Sequence, residues 1–388
     1  MTVKGYNGLF AKPSKYGIIN FYLFKGDNMD NYEKLRQILD SHPSGAPRSR
    51  AFDEILHILF TPDEVKIALH MNFSPKPVNE IAEAIGLTVQ EAEKRLEAMA
   101  DKVIIFSQEK DGLKYYGLLP TIPGLFEFPF MQGGGTPFHE KLAQLWQEYH
   151  GDGLGKAFAG DPTPMMRVVP VERDLEAQTE VLPYESASEL IEQQTYIAVT
   201  NCACRVSVGA CDRPIDVCLI FGSPAKFLVQ RERAREITKE EAFAVLKRAE
   251  EAGLVHTTNN STDRATLICN CCPCCCTILR GKTQLNLPHA FLTSSFLAQV
   301  DADLCIGCGI CADERCPMEA IRVEDDIAYI NKEKCIGCGL CETKCPVDAI
   351  TLIKRPEIPE IPATLKDMAA KVLTEKGKLE RFIGVMRG

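Results

Sequence analysis

The sequence predicts an α+β, multidomain protein, and three observations carry that reading. Between Phe52 and Phe106 apolar residues recur at helical spacing, in AFDEILHILF, PDEVKIALHM and VNEIAEAIGL, with Pro and Gly between them. Near the C-terminus a cysteine motif repeats at a spacing of 30 residues, each copy running into a short helical turn and then a strand. At 388 residues, with roughly 100 to 200 residues per domain, the chain has room for two to four units.

Five segments follow in order: an N-terminal extension at 1–50, a helical unit at 51–130, a cysteine-rich cluster-binding unit at 131–297, the duplicated cysteine module at 298–354, and a linker with a C-terminal docking helix at 355–388. The opening stretch MTVKGYNGLFAKPSKYGIINFYLF has no basic segment followed by an apolar run and a small-residue cleavage site, and no twin arginine. The expectation is a protein that is not exported. No window of about 18 apolar residues occurs, so no bilayer span is expected, and a cytoplasmic location follows. Cysteines there stay reduced, which favours metal ligation or redox work over a disulfide framework. The composition, 45% hydrophobic and 25% charged, is that of an ordinary globular protein apart from its 18 cysteines, which all fall between Cys202 and Cys345. The formal net charge of −9 counts against a nucleic-acid scaffold.

In the 51–130 unit, PVNEIAEAIGLTVQEAEKRLEAMADKVIIFSQEKDGLKYYGLLP predicts a helix, a turn at Gly86 to Thr88, a second helix, and a hairpin turning at Asp111 and Gly112. That order resembles the winged helix-turn-helix of many bacterial regulators. A recognition helix must approach phosphates, yet between Val78 and Asp101 stand Glu80, Glu83, Glu91, Glu93, Glu97 and Asp101 against only Lys94 and Arg95. The charge therefore points to protein docking or a structural role, and DNA is an unlikely partner.

Residues 120–200 read as Pro- and Gly-rich connections. Gly133 to Gly135 precede no Lys-Ser/Thr pair and form a loop, not a phosphate cradle. Trp146, His139 and His150 sit in a helical segment as packing and surface. ITKEEAFAVLKRAEEAGLVH predicts an amphipathic helix with Thr238 as N-cap, Glu241 completing a capping box and Gly253 ending it. After Lys354, RPEIPEIP reads as a stiff extended linker before an amphipathic helix, which docks on a partner or folds back on its own chain.

The sharpest signal is the repeat itself: DLCIGCGICADERCPMEAI is answered by EKCIGCGLCETKCPVDAI. Two residues between successive cysteines let three sulfurs converge on neighbouring irons of one cluster. This resembles two-cluster bacterial ferredoxins over about residues 298–354. The resemblance implies two [4Fe-4S] clusters, with the Cys-Pro cysteine of each half serving the other half's cluster. Cys305, Cys308, Cys311 and Cys345 would hold one, and Cys335, Cys338, Cys341 and Cys316 the second. Gly307, Gly309, Gly337 and Gly339 permit close backbone approach, so that amides can point at sulfur. The first half departs from the pattern: four residues, Ala312 to Arg315, precede its Cys-Pro where three are standard. Zinc also accepts four thiolates but needs no interlaced duplication.

Ten further cysteines lie upstream in two groups: Cys202, Cys204, Cys211 and Cys218, and then Cys269, Cys271, Cys272, Cys274, Cys275 and Cys276 in CNCCPCCC. Six cysteines in eight residues are too dense for packing and would be oxidisable without purpose. Adjacent cysteines point in different directions, so not all six face a single metal. One or two further iron–sulfur clusters are expected, each drawing from both groups joined by the intervening helix; zinc and a redox-active dithiol are the alternatives. Arg205 and Arg213 stand beside these thiolates in sequence and either offset their charge or are solvated surface arginines. The run is not the glycine-containing motif of heterodisulfide reductases, but it is similar to cysteine-rich regions beside ferredoxin modules in proteins of anaerobes.

No G-x-S-x-G, H-E-x-x-H or Walker loop occurs. The expected function is single-electron transfer between redox partners (a dehydrogenase, reductase or flavoprotein), as a subunit of a larger anaerobic oxidoreductase complex, with the redox chemistry supplied by the clusters. Two alternatives stand: a redox-sensing winged-helix transcription regulator, and a reductase with its own site at CNCCPCCC.

Overall fold

The computed structural model describes residues 30–171 and 182–387. The opening stretch inspected for export signals lies outside the described residues.

Helix α1 (Asn31–Ser41) starts where the Asp30 side chain accepts from Tyr32 N, and it buries Leu35 and Leu39 completely. It lies within the segment expected to be an extension; its run NYEKLRQILDS carries few apolar residues, which hid its inward face. Helices α2 (Arg50–Leu59) and α3 (Pro62–Ala68) follow, α3 opening on a Thr61/Glu64 capping box. Strand β1 (Lys76–Pro77) leads into α4 (Val78–Ile85), which ends at Gly86 with φ 68°, a left-handed position that glycine tolerates without strain. Helix α5 (Val89–Asp101) opens on a Thr88/Glu91 capping box. Strands β2 (Ile105–Lys110) and β3 (Leu113–Leu118) form a hairpin through Asp111 and Gly112, both at positive φ, and the small sheet has the order β1-β3-β2.

The stretch read as connections contains two more helices, α6 (Pro137–Tyr149) and α7 (Gly155–Ala159), and also supplies a third helix and two strands of the sheet that follows. Helix α6 packs on α2, with the Tyr149 and Phe52 rings stacked at 4.5 Å and Trp146 buried beside them. His150 is buried, its Nε2 lying 3.3 Å from the Thr277 carbonyl, while His139 accompanies the Thr136 N-cap.

A six-stranded, wholly antiparallel sheet follows, in the order β4-β8-β9-β6-β5-β7. Its strands are β4 (Met166–Val169), β5 (Ile197–Thr200), β6 (Cys218–Phe221), β7 (Arg235–Ile237), β8 (Val255–Asn259) and β9 (Leu267–Cys271). Between them run α8 (Ala187–Glu192), α9 (Ala203–Val208), α10 (Gly222–Gln230) and α11 (Lys239–Glu251); α12 (Thr277–Thr283) comes after the last strand. Thr238 caps α11 with Glu241 in a capping box, and Gly253 (φ 70°) follows its end. Arg231, just past α10, binds Glu97 (2.8 Å) and Asp101 (2.5 Å) on α5, so part of the acidic face of that helix is turned to the sheet unit.

The cysteine module pairs β10 (Phe296–Val300) with β13 (Ile350–Lys354) and β11 (Ile321–Glu324) with β12 (Ile327–Ile330), both antiparallel. The tail forms two helices, α13 (Leu365–Glu375) and α14 (Leu379–Arg387), separated by a turn at Gly377. It folds back on its own chain. Lys378 reaches Asp40 at 2.8 Å, Glu375 receives Thr163, and Asn72 donates to the Val385 and Met386 carbonyls. One continuous apolar core runs from Leu35 through Trp146 and Cys276 to Ile336 and Val372, so the segments share their interiors. Among the described residues no helix is long and apolar enough to cross a membrane.

Candidate metal centres

The duplicated module encloses two small cavities of equal size, ≈ 20 Å³ each. Cys305, Cys308, Cys311 and Cys345 line the first, and Cys316, Cys335, Cys338 and Cys341 the second. Each Cys-Pro sulfur accepts from the amide four residues on: Ala320 N to Cys316 Sγ at 3.1 Å, and Ala349 N to Cys345 Sγ at 3.2 Å. Such amide donors stabilise negative sulfur. The donor set is all sulfur in both cavities, which fits an iron–sulfur cluster. Burial pushes the Cys338 thiol up to about 12 and raises Cys311 as well, so a metal must displace protons on entering.

Glycine is required at the cavity walls. A Cβ on Gly337 (φ 67°) would stand 2.2 Å from the Phe296 carbonyl, whereas one on Gly309 (φ 79°) would meet only the Asp313 side chain at 3.1 Å. Gly337→Ala is therefore expected to cost on the order of 3 kcal/mol or more and to lower metal loading. Gly309→Ala, with only its backbone strain, should lower the melting temperature markedly less. Equal losses in the two variants would contradict this.

The four-residue departure in the first half has a structural outcome that spacing alone did not reveal. Residues Cys311–Arg315 make a single helical turn whose last residue, Arg315, is buried. Its guanidinium donates to the Leu340, Glu250 and Glu251 carbonyls and to Thr343 Oγ1. It thereby ties both halves of the module to the C-terminal end of α11, where cations are favoured. The second cavity also abuts the sheet unit through Val171 N, which donates to Cys338 O at 3.0 Å. The first faces outward: Cys308 is exposed, and Leu304 and Ile306 are more than half-exposed or nearly so at 50% and 58%.

The ten upstream cysteines divide into two groups. Six thiols lie next to one another in a closed circuit running Cys202, Cys204, Cys276, Cys271, Cys269, Cys218 and back to Cys202, each close enough to perturb the next electrostatically. Cys269 and Cys271 share one face of β9, and pairing of β9 with β6 sets Cys218 beside them. Cys202 and Cys204 come from the start of α9, and Cys276 from the residue before α12. The remaining four, Cys211, Cys272, Cys274 and Cys275, have sulfurs that all lie within 4.8 Å of one another. Both groups draw on both cysteine segments. What joins those segments is the β6–β9 pairing and not the intervening helix α11, because direct strand pairing fixes Cys218 against Cys269 while α11 packs elsewhere on the sheet.

Arg205 lies between the two groups and is 2% exposed. Its Nη1 donates to the Asn270 carbonyl at 2.8 Å and faces Cys272 Sγ at 3.8 Å, while Nε and Nη2 have no hydrogen-bond partner among the described residues. Burial alone would weaken its hold on the proton, but Cys202, Cys218 and Cys272 outweigh that and raise its pKa. Among the described residues, no hydrogen bond or ion pair joins Arg213 to either group.

The family described as the 4Fe-4S dicluster domain matches residues 298–352. No curated protein and no solved structure matches the chain.

Proposed function

We propose, with a dicluster domain at residues 298–352 as the premise, that the chain is an iron–sulfur electron-transfer protein whose path runs from the module into the cysteine-rich sheet unit. A cluster bound in each module cavity supplies single-electron uptake and release. Cys305, Cys308, Cys311 and Cys345 would hold the outer one, and Cys316, Cys335, Cys338 and Cys341 the inner. The six-thiol circuit would hold a further polynuclear iron–sulfur centre. The observation that carries the reading is the gradient of exposure along this series: an outward cavity flanked by Leu304 and Ile306, an inner cavity sealed against Val171 and Arg315, and a buried circuit in the same core.

The outer cavity is the face for a soluble redox partner, a dehydrogenase, reductase or flavoprotein, in a hetero-oligomeric oxidoreductase of an anaerobic cytoplasm. The helical unit, winged-helix-like in its order of elements, is a scaffold here. Arg231 occupies Glu97 and Asp101 on the helix that a DNA reader would need free.

Coulometric titration of anaerobically purified protein tests this, with each uptake followed by electron paramagnetic resonance. More than two electrons per chain are expected, all returned to cytochrome c without any co-substrate. Uptake that stops at two removes the six-thiol circuit from the path, and failure to reduce the acceptor sinks the carrier reading altogether.

A further inference from the structure

Four of the upstream cysteines have a geometry unlike the rest. We infer that Cys211, Cys272, Cys274 and Cys275 form a closed tetrathiolate site for one zinc ion, separate from the iron–sulfur centres and structural in role. A tetrahedron of Zn–S bonds of about 2.3 Å has sulfur–sulfur edges of about 3.8 Å. Three of the six separations stand at that value: 3.8 Å for Cys211–Cys272, 3.8 Å for Cys211–Cys275 and 3.7 Å for Cys274–Cys275. The chain carries its own contrast. Among the described residues this is the one group of potential ligands whose atoms all lie within 4.8 Å of one another; neither module quartet is so tight, although each lines a single cavity. A cubane binds each thiolate through a different iron and holds them apart, whereas a single ion draws all four together.

The chain is shaped for this. Cys272 and Cys275 stand in a C-x2-C turn through Pro273, closed by Cys276 N donating to Cys272 O at 3.1 Å, which brings the neighbouring Cys274 to the same side. Cys211 reaches in from the loop after α9. Four protein sulfurs leave no open position, the mark of a structural and not a catalytic zinc site. An ion there would carry excess negative charge from four thiolates, and the buried Arg205 donor 3.8 Å from Cys272 Sγ offsets part of it. Its role would be to clamp the loop bearing Cys211 to the CNCCPCCC turn, so holding Cys271 and Cys276 of the six-thiol circuit in place. Zinc carries no electron, so the assignment does not depend on the electron-transfer reading.

The test is metal analysis of the full chain, expressed anaerobically with iron and zinc both supplied. About one zinc per chain is expected, with a zinc K-edge spectrum showing four sulfurs near 2.3 Å and no lighter ligand. Cys274→Ala should reduce zinc at least fivefold while iron falls little, and Cys338→Ala should lower iron and leave zinc in place. Zinc well below one per chain, oxygen or nitrogen in its shell, or a single iron in its stead in the wild type overturns the assignment. So does zinc that follows Cys338 and not Cys274. The wild-type spectrum decides the matter even if Cys274→Ala fails to fold.

Discussion

Replacing Cys345 by alanine is expected to strip the cluster of the first cysteine triplet, and replacing Cys316 that of the second, each variant losing about four irons per chain. The argument is spatial. Cys345 belongs to the second repeat in sequence, yet it lines the cavity of Cys305, Cys308 and Cys311, and Cys316 lies with Cys335, Cys338 and Cys341. Reference variants make the result readable. The paramagnetic signal lost in Cys345→Ala should be the one lost in Cys308→Ala, and the signal lost in Cys316→Ala the one lost in Cys338→Ala. If Cys345→Ala instead behaves like Cys338→Ala, each half holds its own cluster and the crossed arrangement is wrong.

Arg205→Met is expected to be the most damaging single change outside the cysteines. The guanidinium is buried, and among the described residues it is the one cation hydrogen-bonded to either upstream thiol group. Removing one partner from a buried pair of charges costs about 3 to 5 kcal/mol, because the remaining charge has neither water nor counter-ion. Metal-bound thiolates cannot escape by taking up protons, so the cost falls on metal retention and stability together. We expect a large drop in melting temperature and depleted metal in the sheet unit. Arg205→Lys should recover part of both, since it keeps the charge but not the fork of donors. Wild-type melting and metal content in Arg205→Met would show that the thiolates are balanced by something else.

Much of this was legible in the sequence wherever a residue's role depends on near neighbours. The capping box at Thr238, the turn from Gly86 to Thr88 and the turn at Asp111 and Gly112 all follow from local backbone chemistry. The repeat around Cys305 and Cys335 was equally plain, because cluster chelation fixes the spacing of three cysteines in one turn. What spacing could not supply was long-range pairing. Nothing local tells Cys272 from Cys271; strand β9 ends between them, and that boundary sends one to the six-thiol circuit and the other to the tight quartet. Arg315 escaped for the same reason, since its partners Glu250 and Glu251 lie far upstream. Helix α1 was missed because only Leu35 and Leu39 mark its inward side, and the surface they meet is built by later segments, the tail helix α14 included.

The way each candidate centre is assembled constrains when the ribosomal product can mature. Cys345, which the outer cavity needs, is made last of its four, 29 residues after the Cys316 that belongs to the inner one. The six-thiol circuit cannot close before Cys276 is made, and β6 must wait for β9 to align its Cys218. At roughly 5 to 20 residues per second the nascent chain carries exposed, unfilled thiols for several seconds. On the assignment proposed above, metal insertion would be a late, near-simultaneous event, and the growing chain would need its thiols shielded from oxidation throughout that interval.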